Sequence, residues 1–425
     1  MTWEHPVLKN VFNMHPTTQN RITPELDRPR LRPGLAVARD EDDPKYIILH
    51  DRLRLSPAPR RVSLVEFMWL QLFDGTRTLR EIQAEAMHQA GGRLLPIDVF
   101  IRLVEQLDEA LFLENARFRQ RLDGPVREPS CIGCYPPEPD EVRRLLRSLF
   151  IGLGGPGLPA REKADGQLVA ALIPHIDYQR GGATFAWGFK EVFERTDASL
   201  FVIIGTSHYG IDRFTLTRKD FKTPLGIART DQDYIDRLVA HYGDGLFDDE
   251  LSHLPEHSIE LEVVFLQYLY ENHRSIRIVP LLAGSFEDCV LKRESPRCQQ
   301  DIGRMIEAIR VIEDEISEPV CYIISGDLAH IGPKFRDPNP VVERQLAHSR
   351  DQDRRLLQAA EATDTGGYFQ IIADESDCRR ICGLPPTYTL LEAIRPSHGK
   401  LLHYDQYVHP RGYESVSFAS MAFYR

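Results

Sequence analysis

The sequence has few cysteines, no excess of positive charge and no long apolar run. Only 7 of its 425 residues are cysteine, an odd and sparse number that argues against a disulfide scaffold and predicts reduced thiols. Its 52 lysines and arginines are outnumbered by 63 aspartates and glutamates. The resulting net charge of −11 would repel a phosphate backbone, so nucleic acid is not an expected partner.

The N-terminal residues also lack the continuous apolar core of a signal peptide, because charges and a proline interrupt them. No apolar run elsewhere is long enough to span a bilayer. We therefore expect a cytoplasmic protein without a membrane partner. The length and a hydrophobic share of 42% predict a globular chain of two domains.

The first part of the chain shows signals for a tail followed by short helices. Residues 1–27 are polar and without period, which predicts a loosely held tail. Between residues 28 and 118, Thr78 and Glu81 have the spacing of a capping box, and Pro96 suits the first turn of another helix. Another helix face is predicted from four apolar residues at helical spacing: Leu64, Phe67, Met68 and Leu72. Strands predicted at 46–50 and 111–113 complete a small α+β domain of winged-helix type.

Residues 28–118 resemble PqqD-like domains, the small peptide-binding modules of modified-peptide biosynthesis. The resemblance rests on residues 72–78, on the helix that follows, and on the closing residues 111–114. It implies that a peptide adds a strand to an exposed sheet edge, which we expect beside residues 46–50. The helix at 78–89 holds one arginine against two glutamates, so a peptide or protein is expected there and DNA is not. A small domain that only packs on its neighbour is the alternative.

Residues 119–166 are rich in proline, glycine and charge. One amphipathic helix among them is predicted from the helical spacing of Val142, Leu145, Leu146 and Leu149. We expect a linker whose helix packs against a folded domain of the chain. Cys131 and Cys134 form a CxxC pair, which alone could be half a zinc site or a redox pair. Because no second CxxC completes four ligands, we expect unpaired thiols without zinc.

From residue 167 to 425, apolar β-branched runs alternate with helical stretches. The runs cover residues 168–173, 200–204, 276–282 and 320–324. This rhythm predicts an α/β domain with a largely parallel sheet flanked by helices. In such sheets, functional residues lie beyond the carboxyl ends of the strands.

Histidines follow three of these four runs within a few residues: His175, His208 and His330. Because the carboxyl ends of parallel strands share one edge, we expect their side chains to converge on one pocket. His257, directly before a helical run, is expected to join them. Neutral imidazoles bind transition metals and, when uncoordinated, move protons near neutral pH. A lone histidine is more often a hydrogen-bonded loop residue, but the repetition favours a site.

The same residues carry a resemblance to the Memo family, whose bacterial members are called AmmeMemoRadiSam system protein B. The matching segments, in order, are residues 174–178, 180–182, 205–208, 256–260, 325–330, 381–383, 404–406 and 415–419. So many motifs in the right order, over about residues 131–425, are specific for the fold. The resemblance implies a fold similar to class III extradiol dioxygenases, which are non-haem iron enzymes.

The resemblance also implies roles for the histidines. His175 and His208 match metal ligands, with Fe(II) or copper as the implied metal. His257 matches the acid–base histidine of the dioxygenases. In family members with a described site, a cysteine stands where this chain has Ala329, and an alanine methyl group cannot coordinate a metal. The third ligand is therefore in doubt, and weak metal binding, or none, is possible.

Asp327 and His330 are the candidates for that third position. Asp327 with two histidines would give the 2-His-1-carboxylate set of non-haem Fe(II). Cys382 could lie near the site because its motif matches the family, but a buried structural thiol is the expected role for it.

Three functions fit these residues. The first is a metal-dependent oxidoreductase that acts with a radical-SAM partner system, with His257, Asp327 and His330 as catalytic residues. The second is a non-catalytic protein that binds a peptide or small molecule and recruits a partner through its PqqD-like domain. The third is metal-assisted hydrolysis with an activated water.

Overall fold

The structure, a computed structural model, describes residues 22–425 except 33, 52, 54, 57, 132 and 161–167. Its contacts divide the chain into two compact units, Met1–Asp123 and Gly124–Arg425. Of the predicted tail, residues 1–21 lie outside the described residues. Within the described ranges, no helix combines the length and the apolar character needed to cross a membrane.

The described residues of the first unit form a three-stranded antiparallel sheet and five helices. In chain order they are α1 (Pro24–Asp27), β1 (Leu35–Arg39), β2 (Tyr46–Asp51), β3 (Arg60–Ser63), α2 (Leu64–Leu70), α3 (Leu79–Gln89), α4 (Ile97–Glu109) and α5 (Ala116–Leu122). The predicted capping box is confirmed, since Thr78 and Glu81 satisfy each other's backbone N–H at the start of α3. The helix predicted after Pro96 is α4, and its apolar face is buried.

Three expectations for this unit are wrong. The free sheet edge expected beside residues 46–50 does not exist, because β2 pairs with β1 on one side and β3 on the other. The free edges of the described sheet belong to β1 and β3. Residues 111–113 form no strand, and Leu113 makes only a single bridge to Leu31. On α2, Leu64 and Met68 are exposed, because the core takes Trp69 and Leu70 instead.

The second unit is a mixed α/β layer structure. Its elements are β4 (Val126–Arg127), α6 (Pro139–Ile151), β5 (Leu168–Ile173), α7 (Tyr178–Arg195), β6 (Leu200–Thr206), β7 (Phe214–Leu216), β8 (Asp220–Thr223), β9 (Gly226–Thr230), α8 (Gln232–Tyr242), α9 (Ser258–Tyr270), β10 (Arg277–Ala283), α10 (Glu287–Lys292), α11 (Gln300–Glu315), β11 (Val320–Ser325), β12 (His330–Ile331), α12 (Glu343–Glu361), α13 (Thr365–Asp374), α14 (Leu384–Ile394), β13 (His398–Val408) and β14 (Ser415–Tyr424).

The eleven strands described in this unit form one sheet with the order β12-β14-β5-β11-β6-β10-β9-β8-β4, with β13 on β14 and β7 on β10. Its centre is parallel, as predicted: β5, β11, β6, β10 and β9 run side by side in one direction. The hairpin of β13 and β14 is antiparallel and pairs with β5 at one side. The four apolar runs predicted as strands are all strands, and this part of the fold is confirmed.

Both faces of the sheet are buried, which explains why the central strands read as continuous apolar runs. Along β6, for example, Leu200, Val202 and Ile204 belong to one apolar core, while Phe201 and Ile203 belong to the other. Helices cover both cores. Because successive side chains of a strand point to opposite faces of the sheet, the residues of one apolar run are shared between the two cores.

Residues 124–151, which we predicted to lie in a linker, belong to the second unit. β4 extends the sheet by pairing with β8, and α6 contacts α7 and α9. Arg127 is fully buried and forms an ion pair with Glu260 on α9. The predicted domain boundaries at residues 118 and 166 stay predictions. Both polar and apolar contacts attach residues 124–151 to the rest of the second unit.

The expectation of unpaired thiols at Cys131 and Cys134 is wrong, because the two residues form a disulfide. A turn in which the backbone N–H of Cys134 donates to the carbonyl of Cys131 brings their Cα atoms to 5.5 Å. That separation is ordinary for a disulfide.

Candidate metal centre

Five side chains that could hold a metal ion meet beyond the carboxyl ends of the parallel strands. His175, His208 and Asp327 each lie two residues after a strand, β5, β6 and β11 respectively. His257 directly precedes α9, and Cys382 lies in the loop before α14. Because these three strands are neighbours in the sheet, the strand-end rule brings the first three residues together.

Three of the four predicted histidines form one cluster. The ring centre of His175 lies 5.0 Å from that of His208 and 5.5 Å from that of His257, and the rings of His208 and His257 are 4.8 Å apart. One nitrogen of each ring lies within 4.8 Å of one nitrogen of the other two. The convergence that the sequence predicts is therefore present for these three residues.

A second group of potential ligands consists of His175, Asp327 and Cys382. The Cys382 Sγ lies 3.3 Å from the His175 Nε2, and one Asp327 carboxyl oxygen lies 3.9 Å from the same nitrogen. We expected a structural thiol at Cys382, but its sulfur lies in the site. Ala329 belongs to the apolar core instead, so the thiol of this site comes from residue 382.

Asp327 is held close to the site by the backbone of the β5 loop. Its carboxyl group accepts the backbone N–H groups of His175 at 3.0 Å and of Ile176 at 3.3 Å. Burial raises the pKa of Asp327 to about 6, and these two hydrogen bonds oppose the rise. The Asp327 carboxyl group can therefore gain or lose a proton close to neutral pH.

Glu256 orients two of the histidines, a role that we did not predict. Its carboxyl group lies 2.9 Å from the His208 Nδ1 and 3.3 Å from the His257 Nδ1. Burial alone would raise the pKa of Glu256, but the charge of His208 and hydrogen bonds from both histidines hold it well below its ordinary value. The same contact raises the pKa of His208 well above its ordinary value, against the effect of burial. A carboxylate at Nδ1 leaves Nε2 to face a metal ion.

Ser325 orients the imidazole of His175, as Glu256 orients those of His208 and His257. The Ser325 hydroxyl donates to the carbonyl of Ser258 at 2.7 Å and lies 3.2 Å from the His175 Nδ1. Burial, followed by the nearby His208 and His257, lowers the pKa of His175 well below its ordinary value. The imidazole is therefore neutral, as a metal ligand must be.

His330, the fourth predicted histidine, lies beside the cluster and belongs to neither ligand group. Its Nδ1 lies 3.2 Å from the carbonyl of Leu328 and 3.1 Å from the carbonyl of Arg380, so this nitrogen carries a proton. Its ring contacts Phe335. Burial, and then His208, lowers the pKa of His330 to about 4, which leaves the second ring nitrogen unprotonated.

A cavity of about 240 Å³ opens next to His208 and Cys382. Its apolar wall is formed by side chains of the β10–α10 and α14 regions, namely Phe286, Val290, Ile381, Leu384 and Pro385. Asp377, Arg380 and Glu287 add charge to the lining. A small molecule in this cavity would contact the cluster.

The donor set suits a first-row transition metal. Three imidazoles, one carboxyl group and one thiol offer nitrogen, oxygen and sulfur ligands, a mixture that iron and copper accept. In all three imidazoles, Nδ1 contacts another protein group, as is usual for metal-binding histidines. The roles assigned from the sequence to His175, His208, His257, Asp327 and His330 stay predictions.

Comparison with known proteins agrees with this architecture. Residues 127–422 match the family described as Memo-like protein. A MEMO1 family protein of Aquifex aeolicus is 28% identical over 371 residues, which cover 84% of this chain and 90% of the relative. MEMO1 family proteins of Methanopyrus kandleri and Thermococcus kodakarensis are each 30% identical, and the matched regions cover 65% and 71% of this chain and 91% and 100% of those relatives. The chain belongs to the Memo family.

Proposed function

We propose that the second unit is a metal-dependent oxidoreductase that binds Fe(II) or copper at the His–Asp–Cys cluster. The observation that carries the proposal is the thiol of Cys382 beside the imidazole of His175, because redox-active iron and copper, as well as zinc, accept thiolate and imidazole ligands together. His175, His208 and Cys382 would hold the ion, with Asp327 or His257 beside it. Such an ion would supply one-electron chemistry to a molecule bound next to it.

The protein groups around the cluster would manage protons. Asp327, with its pKa of about 6, can give or take a proton near neutral pH. The free ring nitrogen of His330 can accept one. The apolar wall of the adjoining cavity would exclude water from a small substrate. In this proposal, the metal cluster binds the reacting group of the substrate, and the shape of the cavity selects which substrate can bind.

Metal analysis tests the proposal directly. The full chain is purified without oxygen, and its iron and copper content is measured beside that of a His175→Ala, His208→Ala double variant and a Cys382→Ser variant. His241→Ala, which removes an exposed histidine on α8, is the matched control. We expect metal close to one ion per chain in the wild type and control, and a loss of most of it in the double variant.

The redox character needs its own measurement. Reduction and reoxidation of the metal-loaded protein should change its optical and electron paramagnetic resonance spectra reversibly, and Cys382→Ser should shift those spectra. Equal, sub-stoichiometric metal in the wild type and the double variant would remove the basis of the proposal. A metal that binds tightly but cannot be reduced or oxidised would favour metal-assisted hydrolysis instead.

We propose further that the first unit binds a peptide or a partner protein, such as a member of a radical-SAM system. The free edges of β1 and β3 can each accept an added strand. Near them in sequence, Val37 on β1 and the α2 residues Leu64, Val65 and Met68 are exposed. Hydrogen exchange of the full chain with and without peptides encoded by neighbouring genes tests this. Protection of β1 or β3 supports it, and tight, salt-sensitive binding of duplex DNA without peptide binding contradicts it.

A further inference from the structure

Thr206, the last residue of β6, is buried at the candidate metal centre and is not one of its candidate ligands. Its hydroxyl oxygen lies 2.9 Å from the carbonyl oxygen of Cys382 and 3.4 Å from that of Ser325. A hydroxyl group has one proton to donate, and only the shorter distance is that of an ordinary hydrogen bond. Thr206 therefore donates its proton to the Cys382 carbonyl.

The peptide group between Cys382 and Gly383 is consequently held on two sides. Its carbonyl accepts from Thr206 at 2.9 Å, and its N–H, which belongs to Gly383, donates to the Asp327 carbonyl at 2.9 Å. Because a peptide group is planar, these two hydrogen bonds fix its orientation. The Cα of Cys382 lies in the same plane, so the two bonds also restrict where the thiol can lie. In the structure the sulfur lies 3.3 Å from the His175 Nε2.

The loop before Cys382 has a backbone that needs contacts from outside the loop. Ser376, Asp377 and Arg380 have left-handed conformations, with φ angles of 52°, 46° and 55°. Such conformations are unfavourable for residues with a side chain, and they persist only when the surrounding structure keeps them in place. Thr206 supplies one of these outside contacts at the residue that bears the thiol.

We propose that Thr206 is a positioning residue that holds the Cys382 thiol beside the imidazole of His175. It acts through the Cys382 carbonyl and is not a ligand of the ion. Without this hydrogen bond, the peptide group can turn about its remaining bond to Asp327, and the sulfur can move away from His175 into the adjoining cavity. The inference rests on the proposed metal centre, in which Cys382 is a ligand.

Two substitutions separate the hydroxyl of Thr206 from its shape. Thr206→Val keeps the branched side chain without the hydroxyl, and Thr206→Ser keeps the hydroxyl without the methyl group. Titration of the metal-free full chain with cobalt(II) measures the affinity, and the near-ultraviolet absorption of a cobalt–thiolate bond reports whether Cys382 is bound. We expect Thr206→Val to lose this absorption and to bind cobalt at least tenfold more weakly, as is usual when a residue behind a ligand is changed. Thr206→Ser should stay within about threefold of the wild type.

A Cys382→Ala background shows whether Thr206 acts through the thiol. In that background, Thr206→Val should change the cobalt affinity by less than about threefold, because the group that Thr206 positions is gone. An equal weakening in both backgrounds overturns the inference, since Thr206 would then affect the ion by another route. Wild-type affinity and absorption in Thr206→Val overturn it too, as does a Thr206→Ser variant that is as weak as Thr206→Val.

Alkylation of Cys382 provides a readout that needs no metal. Iodoacetamide is added to the metal-free full chain, and peptide mass spectrometry compares Cys382 with the exposed Cys298 as the internal reference. Because exposure controls how fast a thiol reacts, we expect the relative rate of Cys382 to rise at least about threefold in Thr206→Val and to stay unchanged in Thr206→Ser. An unchanged rate in Thr206→Val overturns the inference.

The alkylation rates also separate this inference from the proposed function. If the wild type binds no cobalt, the metal centre fails, and the relative rate of Cys382 still decides whether Thr206 positions the thiol. Circular dichroism checks that each variant is folded. If Thr206→Val does not fold, Thr206→Ala removes the same hydroxyl and takes its place in every comparison.

Discussion

At the scale of single residues, the candidate metal centre is a concentration of buried polar groups that the protein stabilises by mutual contact. Glu256 is the clearest example, since it accepts two imidazoles and the backbone N–H groups of His208, His257 and Ser258. Asp327 has fewer donors, and its carboxyl group is destabilised by burial. Keeping a charged Asp327 in the site therefore lowers the stability of the folded protein.

The first prediction concerns that cost. An aspartate whose pKa is about 6 in the folded state and about 4 in the unfolded chain binds more protons when folded, so stability falls as pH rises from about 4 to 6. Asp327→Asn removes this loss. At pH 7.5 we expect the metal-free variant to be more stable than the wild type by roughly 1–3 kcal/mol, with the difference vanishing below about pH 4.

Urea unfolding of chelator-treated proteins at several pH values measures this difference. The variant should at the same time bind metal more weakly, because an amide is a poorer ligand than a carboxylate. A stability difference that does not change between pH 4 and 8 would contradict the prediction.

At the scale of elements, the site depends on how closely two loops approach each other. A Cβ added at Gly326 would lie 2.6 Å from the Gly383 Cα, and one added at Gly383 would lie 2.7 Å from the Asp327 carbonyl oxygen. Glycine at both positions lets the loop with Asp327 and the loop with Cys382 touch through their backbones. This contact, which the sequence motifs do not reveal, places the thiol in the site.

The second prediction follows from that contact. Gly326→Ala forces the two loops apart, because the atom it meets belongs to backbone and cannot rotate away. We expect cobalt(II) affinity to fall at least tenfold and stability to fall by about 1–3 kcal/mol. Isothermal titration and urea unfolding measure the two effects. Gly366→Ala on α13, where the nearest atom is 3.6 Å away, should change neither by much. Equal effects of both substitutions would refute the explanation.

The third prediction concerns the buried ion pair that attaches β4 and the segment after it to α9. Arg127 donates to Glu260, to the carbonyls of His253 and Glu256, and to the hydroxyl of Ser130. Arg127→Met leaves Glu260 as an unpaired buried charge, so we expect a loss of about 3–5 kcal/mol in the free energy of unfolding. The double variant Arg127→Met, Glu260→Leu should lose less.

Urea unfolding of the single and double variants tests this idea. If the double variant were less stable than Arg127→Met, the cost would come from lost packing and the account based on charge would fail. The backbone N–H groups of Ser130 and Cys131 also donate to Glu260. The same experiment should therefore report how firmly the disulfide-bonded turn is held.

At the scale of the whole molecule, the sequence predicted the parallel centre of the sheet because its strands are buried on both faces and read as apolar runs. The strand-end rule predicted a shared pocket for His175, His208 and His330, of which the first two lie in the cluster and His330 lies beside it. Asp327 was predicted only as a candidate for the third ligand position. The motif of Cys382 allowed a place near the site, but the sequence favoured a structural thiol, because the position of the sulfur depends on a backbone contact between distant loops. The antiparallel hairpin β13–β14 has no comparable signal, since β13 is only partly buried.

The fourth prediction is that residues 124–425 bind metal without the first unit. Every candidate ligand, and every residue that hydrogen-bonds to one in the described structure, lies in the second unit. We expect the fragment to bind cobalt(II) within about threefold of the full chain, because a threefold change is less than 1 kcal/mol. Titration of both proteins measures this. A much weaker fragment would show that the first unit contributes to the site.

The distance along the chain between the candidate ligands has a consequence for how the protein is made. Cys382 follows His175 by 207 residues, and the pairing of β14 with β5 joins the end of the sequence to the first strand of the central sheet. During synthesis at about 5–20 residues per second, His175 leaves the ribosome roughly ten seconds or more before the thiol that completes the ligand set. Any ion captured earlier would meet only part of its ligands, so the choice of metal belongs to the finished protein and not to the nascent chain.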